Sequence, residues 1–210
     1  MRFFAEFVFL CFIWVLYWLC RARRNYLKRR IGSQALKNVY RVGRNVFSML
    51  CRDELAVCGD LGVLDKGCIL YSFHFGLWEL MPHTLCRKGY RVGIIANRYQ
   101  TDSVTIPVRL LDHLLKKWRS RGGVRVFYKE SVLEIVRFLK LGGVFGMLID
   151  GDDFYQKYGK AEKLAQLCHV PLVPFAAYRD RGRGMLHVGC NIQDLVKKMP
   201  LDYVWFYKSR

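Results

Sequence analysis

From Leu61 onward, short apolar runs alternate with stretches long enough to be helices, and this alternation restricts the fold more than any other feature of the chain. Gly67 to Tyr71 reads as strand and Leu77 to Arg87 as helix. Arg91 to Ala96 is strand, Val104 to Arg119 helix, Val124 to Tyr128 strand, Ser131 to Leu141 helix and Val144 to Ile149 strand. After Asp150 the pattern predicts a polar loop, a helix near Lys160 to Cys168, and two closing strands, Leu172 to Tyr178 and Met185 to Val188. Strands separated by helices of ten or more residues must cross over to pair, which makes them parallel. The predicted class is α/β: a mixed, largely parallel central sheet flanked by helices, with the close final pair adding an antiparallel edge. No internal repeat or low-complexity segment interrupts it.

The N-terminal part follows a different logic. Phe3 to Cys20 is almost wholly apolar, with Glu6 its one charge. As a helix the uncharged part, Phe7 to Cys20, is about 21 Å long against a hydrocarbon core of about 30 Å. It spans only if Phe3 to Phe7 also insert; otherwise it lies partly sunk in one leaflet. A helix apolar on every face fits a membrane better than a half-exposed position on a domain. One leading Arg, many Trp and Phe, and the lack of an Ala-x-Ala site argue against a cleaved signal peptide.

Arg21 to Arg44 then carries nine basic residues and no acidic one. Basic residues just after a hydrophobic helix mark the cytoplasmic side and attract anionic headgroups. Tyr26 and Tyr40 interleave with them, as in single-strand nucleic-acid binding; the adjoining hydrophobic helix decides for lipid, so nucleic acid is not an expected partner. Ile31-Gly32-Ser33 breaks the helix, and Ser33 can cap another running to about Leu50. The expected organisation is a membrane-anchoring helix with its basic segment at residues 1–30, then one domain at residues 31–210, large enough for a real core.

The formal net charge is +18, with a pI near 9.8. Such an excess calls for an acidic partner: anionic lipid, nucleic acid or an acidic carrier protein. The eight cysteines are scattered, without Cys-x-x-Cys or zinc-type spacing. Most fall in apolar runs, so buried reduced thiols in a reducing compartment are expected.

Ser72-Phe73-His74-Phe75-Gly76-Leu77-Trp78-Glu79 joins the first long strand to its helix. His74 therefore belongs at the carboxyl end of a strand, where open α/β sheets usually place their chemistry. A neutral imidazole takes a proton from a hydroxyl near pH 7, and a carboxylate on its other nitrogen fixes the tautomer and stabilises the cation. Glu79, five positions on, can supply that carboxylate. With no Gly-x-Ser-x-Gly present, the activated hydroxyl can belong to a substrate. The same spacing also suits a strand-end His satisfied by backbone and a solvated helical Glu. A metal site at His74, Glu79 and His83 is not expected, because the His-Glu-x-x-His order is absent and Pro82 intervenes. Gly142-Gly143-x-x-Gly146 lies within an apolar strand and lacks the Lys-Ser/Thr of a phosphate loop.

Four stretches align in order: His74-Phe75-Gly76-Leu77-Trp78-Glu79, Ile94-Ile95-Ala96-Asn97-Arg98, Arg119-Ser120-Arg121-Gly122-Gly123-Val124, and Leu141 through Asp152. Together they resemble the lipid A biosynthesis lauroyl/myristoyl acyltransferases of the lysophospholipid acyltransferase superfamily, with its His-x4-Asp/Glu motif. Val170 to Ala176 resembles that family's late strand, and Met199-Pro200 through Trp205-Phe206-Tyr207 its tail. The resemblance implies a glycerolphosphate acyltransferase-like fold and an O-acyltransferase. A fatty acyl chain would pass from an acyl-carrier-protein or CoA thioester to a hydroxyl of a membrane glycolipid such as a lipid A precursor. By the same resemblance His74 is the general base and Glu79 orients it. Arg98 and Arg119 hold phosphate, with Asp150 a further substrate-side residue. No metal and no resident cofactor are implied. The location implied is the inner, cytoplasmic membrane, with the domain on the cytoplasmic side and an anionic phospholipid surface as partner. A lysophospholipid or another glycolipid is the alternative acceptor, and a non-catalytic lipid- or carrier-binding relative the alternative of another class. Tyr155 to Glu162 departs from the family as a clearly shorter stretch, and the N-terminal region is trimmed.

Overall fold

The computed structural model describes residues 5–11, 14, 25, 29, 32–51, 53–96, 116–150 and 154–203. After a 3-10 turn at Gly32–Gln34, the elements run α1 (Ala35–Cys51), β1 (Ala56–Gly59), α2 (Gly62–Asp65), β2 (Cys68–Ser72), α3 (Leu80–Arg87) and β3 (Val92–Ala96). They continue with β4 (Arg125–Tyr128), α4 (Val132–Lys140), β5 (Val144–Leu148), α5 (Phe154–Cys168), β6 (Leu172–Asp180), β7 (Arg183–Val188) and α6 (Ile192–Lys198). Residues 116–119 are also helical. Of the expected helix from Val104, the earlier part lies outside the described residues, as do most of Phe7 to Cys20 and of the basic segment, Arg98, and the tail beyond Tyr203.

The seven strands form one sheet in the order β1-β7-β6-β2-β5-β3-β4. The predicted α/β class holds: β2 pairs in parallel with β5 and β6, β3 with β4 and β5, and β1 with β7, while β6 and β7 are antiparallel. The expected antiparallel edge is corrected in one respect. β1 lies outside β7, so the final pair is not the rim. At four residues, Ala-Val-Cys-Gly between Leu55 and Asp60, β1 offers too short an apolar run to be read from sequence.

Side chains alternate across the sheet and build a core on each face. Cys68 and Leu70 of β2 and Val144 of β5 join Leu80, Met81 and Leu85 of α3 on one side. Ile69 and Phe145 join Ile135, Phe138 and Leu139 of α4, with Ala165 and Cys168 of α5, on the other. Burial on both faces explains why these central strands read as unbroken apolar runs.

Two further expectations are revised. The expected polar loop after Asp150 is shorter than predicted, because α5 begins at Phe154 rather than near Lys160 and so takes in Tyr155 to Gly159. The thiols are mixed: among the described residues Cys68, Cys168 and Cys190 are buried, whereas Cys11 and Cys51 are exposed. As for the N-terminal membrane helix, residues 5–11 are helical, and among the described residues no helix is long and apolar enough to cross a membrane.

The turn after β2 is fixed by Gly76, which holds φ at +60°. A Cβ there would run into the Ala177 carbonyl oxygen, the same oxygen that accepts from the Leu77 amide at 2.6 Å. Gly76→Ala is expected to cost about 2–4 kcal/mol, combining backbone strain with the steric clash. A urea melt checks this, and a midpoint equal to wild type would contradict it.

Candidate functional site

His74 lies two residues past the last residue of β2, and Asp150 two past the last of β5. The two strands are neighbours with Ser72 opposite Leu148, and the Ile149 amide extends the ladder to the Ser72 carbonyl at 3.0 Å. That register brings Asp150 beside His74. One carboxylate oxygen, Oδ2, accepts from the His74 backbone amide at 2.7 Å. The other, Oδ1, meets the ring Nδ1 at 2.7 Å. Asp150 has only 3% of its side chain exposed, against 29% for His74. A carboxylate gripping both the backbone and the ring of one histidine sets the imidazole's position, directs its proton to Nδ1, and makes Nε2 the acceptor.

Two neighbours complete the setting. The Trp78 ring stands edge-on to the imidazole, centroids 5.3 Å apart. Lys157, on the first turns of α5, donates its ammonium to the Asp150 carbonyl at 2.9 Å, tying the end of β5 to the helix that follows. Trp78 stands inside the His74 to Glu79 motif, which assigns it no role of its own, whereas no sequence motif marks Lys157.

Glu79 does something else. The expected helix from Leu77 begins only at Leu80, so Glu79 is its N-cap residue rather than a residue one turn inside. Its carboxylate faces Arg119: Nε donates to Oε2 at 3.0 Å and Nη2 to Oε1. This corrects the expected pairing, since the carboxylate on His74 belongs to Asp150. The physical reason is the Gly76 turn, which carries the chain away before Glu79 is reached, whereas strand register delivers Asp150 directly. It also redefines Asp150, expected on the substrate side, as the partner of His74. Arg119 sits where the expected helix-to-strand turn begins, and part of its guanidinium is committed to Glu79.

The pair is partly buried, with 14% of the Glu79 and 27% of the Arg119 side chain exposed. Removing the guanidinium strands a carboxylate in that setting. Arg119→Gln is expected to lower stability by about 1–3 kcal/mol, checked by chemical denaturation. An unchanged midpoint would show that the pair is screened as at an open surface.

Three residues past His74, Leu77 lines a cavity of about 430 Å³ together with Arg44, Asp53, Glu54, Arg179 and Gly184. Arg179 is fixed there by the Gly182 carbonyl at 3.2 Å and by Ser48. Both charge signs and an apolar wall meet in it, next to the turn that carries His74.

Buried thiols do not compete for the chemistry. Burial pushes the Cys68 thiol up to about 12 and Cys190 to about 11, so both stay protonated and unreactive near neutral pH. Among the described residues no group of three or more His, Cys, Asp and Glu is placed to hold a metal ion. No protein-family model matches the chain, and no curated protein matches it.

Proposed function

We propose that this chain is a membrane-associated O-acyltransferase, and the observation that carries the reading is the Asp150–His74 pair at the carboxyl end of two adjacent parallel strands. His74 Nε2 takes the proton of an acceptor hydroxyl as its oxygen attacks the thioester carbonyl of an acyl donor. Asp150 stabilises the imidazolium so formed. The tetrahedral intermediate then expels the thiolate, which leaves with the proton from His74, and the products are an ester and a free thiol. The protein need supply no nucleophile, in keeping with protonated buried thiols.

The donor in this reading is an acyl-carrier-protein or CoA thioester. The acceptor is a hydroxyl of a membrane lipid, with a lipid A precursor favoured by the resemblance of His74 through Glu79 to that branch's motif. The charge of +18 suits an acidic carrier and an anionic cytoplasmic leaflet.

Lipid mass spectrometry of cells with and without the gene tests the proposal, together with transfer from acyl-carrier protein and acyl-CoA to extracted lipids in vitro. A lipid heavier by one acyl chain in the expressing cells is expected and identifies the acceptor. No shift in any lipid and no transfer from either donor would overturn it.

A further inference from the structure

Helix α1 has two working sides. Its sequence, ALKNVYRVGRNVFSMLC, contains no acidic residue. Leu36 and Tyr40 point outward, 45% and 53% exposed, beside the exposed Lys37 and Arg41. The helical stretch at residues 5–11 packs against the later turns of α1. Arg44 Nε donates to Glu6 at 3.0 Å, and the rings of Phe9 and Phe47 lie 5.7 Å apart. Phe7 and Val8 of that stretch stay 65% and 51% exposed. Phe7 and Tyr40 line one groove, so the apolar surface is continuous from one helix to the other. Its one acid, Glu6, is neutralised by Arg44. The result is an apolar strip of Phe7, Val8, Leu36 and Tyr40 flanked by the cations Lys37 and Arg41. That pattern fits a helix lying in a bilayer interface and drawn there by anionic headgroups.

The opposite side of α1 grips the C-terminal segment. Asn38 Nδ2 donates to the Leu201 carbonyl at 2.8 Å, and Arg41 Nη1 to Asp202 Oδ2 at 3.0 Å. The Asp202 carbonyl in turn accepts from the Gly76 amide at 2.9 Å, and Phe75 and Tyr203 form an antiparallel bridge. The two residues that follow His74 are thus strapped to α1 through Leu201 to Tyr203. Arg41 belongs to both sides: it holds Asp202, yet 47% of its side chain remains exposed.

We infer that the face formed by Phe7, Val8, Leu36, Lys37, Tyr40 and Arg41 docks on an anionic lipid leaflet, and that docking steadies the His74 turn through the Arg41–Asp202 strap. The inference rests on the reading of that turn as the catalytic centre, and it adds a dependence of the turn on the membrane. An interface that restrains α1 restrains what is hydrogen-bonded to it, and local opening of the strap becomes rarer.

The test uses the full chain with vesicles of phosphatidylcholine, alone or with one-third phosphatidylglycerol. Co-sedimentation reads docking, and amide hydrogen exchange at Gly76 reads the strap. Anionic vesicles are expected to bind the chain more tightly than neutral ones and to slow Gly76 exchange by about threefold or more. Lys37→Gln/Tyr40→Ser should weaken binding to the anionic vesicles by about tenfold without changing thermal unfolding. Asp202→Ala should bind vesicles like wild type and lose the vesicle-dependent slowing. If that variant does not fold, Asp202→Leu, which keeps most of the shape without an acceptor for Arg41, serves the same comparison. Equal binding to neutral vesicles, or wild-type binding by the Lys37/Tyr40 variant, would overturn the docking face. Unchanged Gly76 exchange in the bound wild type, or slowing that survives in the Asp202 variant, would overturn the coupling. None of these readouts uses acyl transfer, so a failure of the acyltransferase reading appears separately, as a docked and strapped protein that transfers no acyl group.

Discussion

His74→Ala is expected to lower acyl transfer by about two to four orders of magnitude while leaving fold and lipid binding intact. General-base assistance typically contributes 10²- to 10⁴-fold, and nothing else near the reacting hydroxyl in this mechanism accepts its proton. The ring is 29% exposed and lies outside the two cores, so its removal leaves no large cavity. Initial rates with a saturating acyl-thioester donor, alongside co-sedimentation with acceptor lipid, separate chemistry from binding. A folded variant with full activity would rule out His74 as the base. A loss confined to KM would assign it to acceptor binding instead.

Asp150→Asn is expected to be nearly as damaging, by about 10²- to 10⁴-fold in kcat. The wild-type carboxylate accepts from both the His74 amide and Nδ1. An asparagine can keep one of these bonds. It can also present its amide nitrogen to the ring and so favour the tautomer with the proton on Nε2. That tautomer cannot act as a base, and the imidazolium loses the counter-charge of a carboxylate only 3% exposed. Because His74 and Asp150 act as one unit, the double variant His74→Ala/Asp150→Asn should be little worse than His74→Ala alone. Glu79→Gln should cost less than either, and its loss should combine additively in free energy with that of His74→Ala, since Glu79 acts on Arg119. The reverse pattern, with additive losses for His74 and Asp150 but not for His74 and Glu79, would mean that Glu79 turns to the imidazole during turnover.

The amino-acid sequence alone determined the layered α/β class and the order of its central elements. Central strands are buried on both faces and their helices on one, and those two burial patterns leave different periods along the chain. It also determined that His74 ends a strand, because the apolar run of Cys68 to Tyr71 stops there and Gly76 follows. Short β1 was missed, since four residues with little apolar bulk leave no periodic trace. The start of α5, from Phe154 to Gly159, resembles a loop in one dimension because polar side chains are frequent there and its apolar stripe is weak.

Only the tertiary structure decided which acid serves His74. Glu79 is near in sequence and Asp150 is 76 residues away, so local spacing favours the wrong carboxylate. The choice depends on β5 lying next to β2 with Leu148 opposite Ser72, and strand neighbours are set by how the whole chain packs. The same holds for the strap from α1 through Asp202 to Gly76, whose partners lie at opposite ends of the chain. A hydrogen bond between distant residues leaves no mark on either local stretch; it exists only once the sheet and its flanking helices have brought them together.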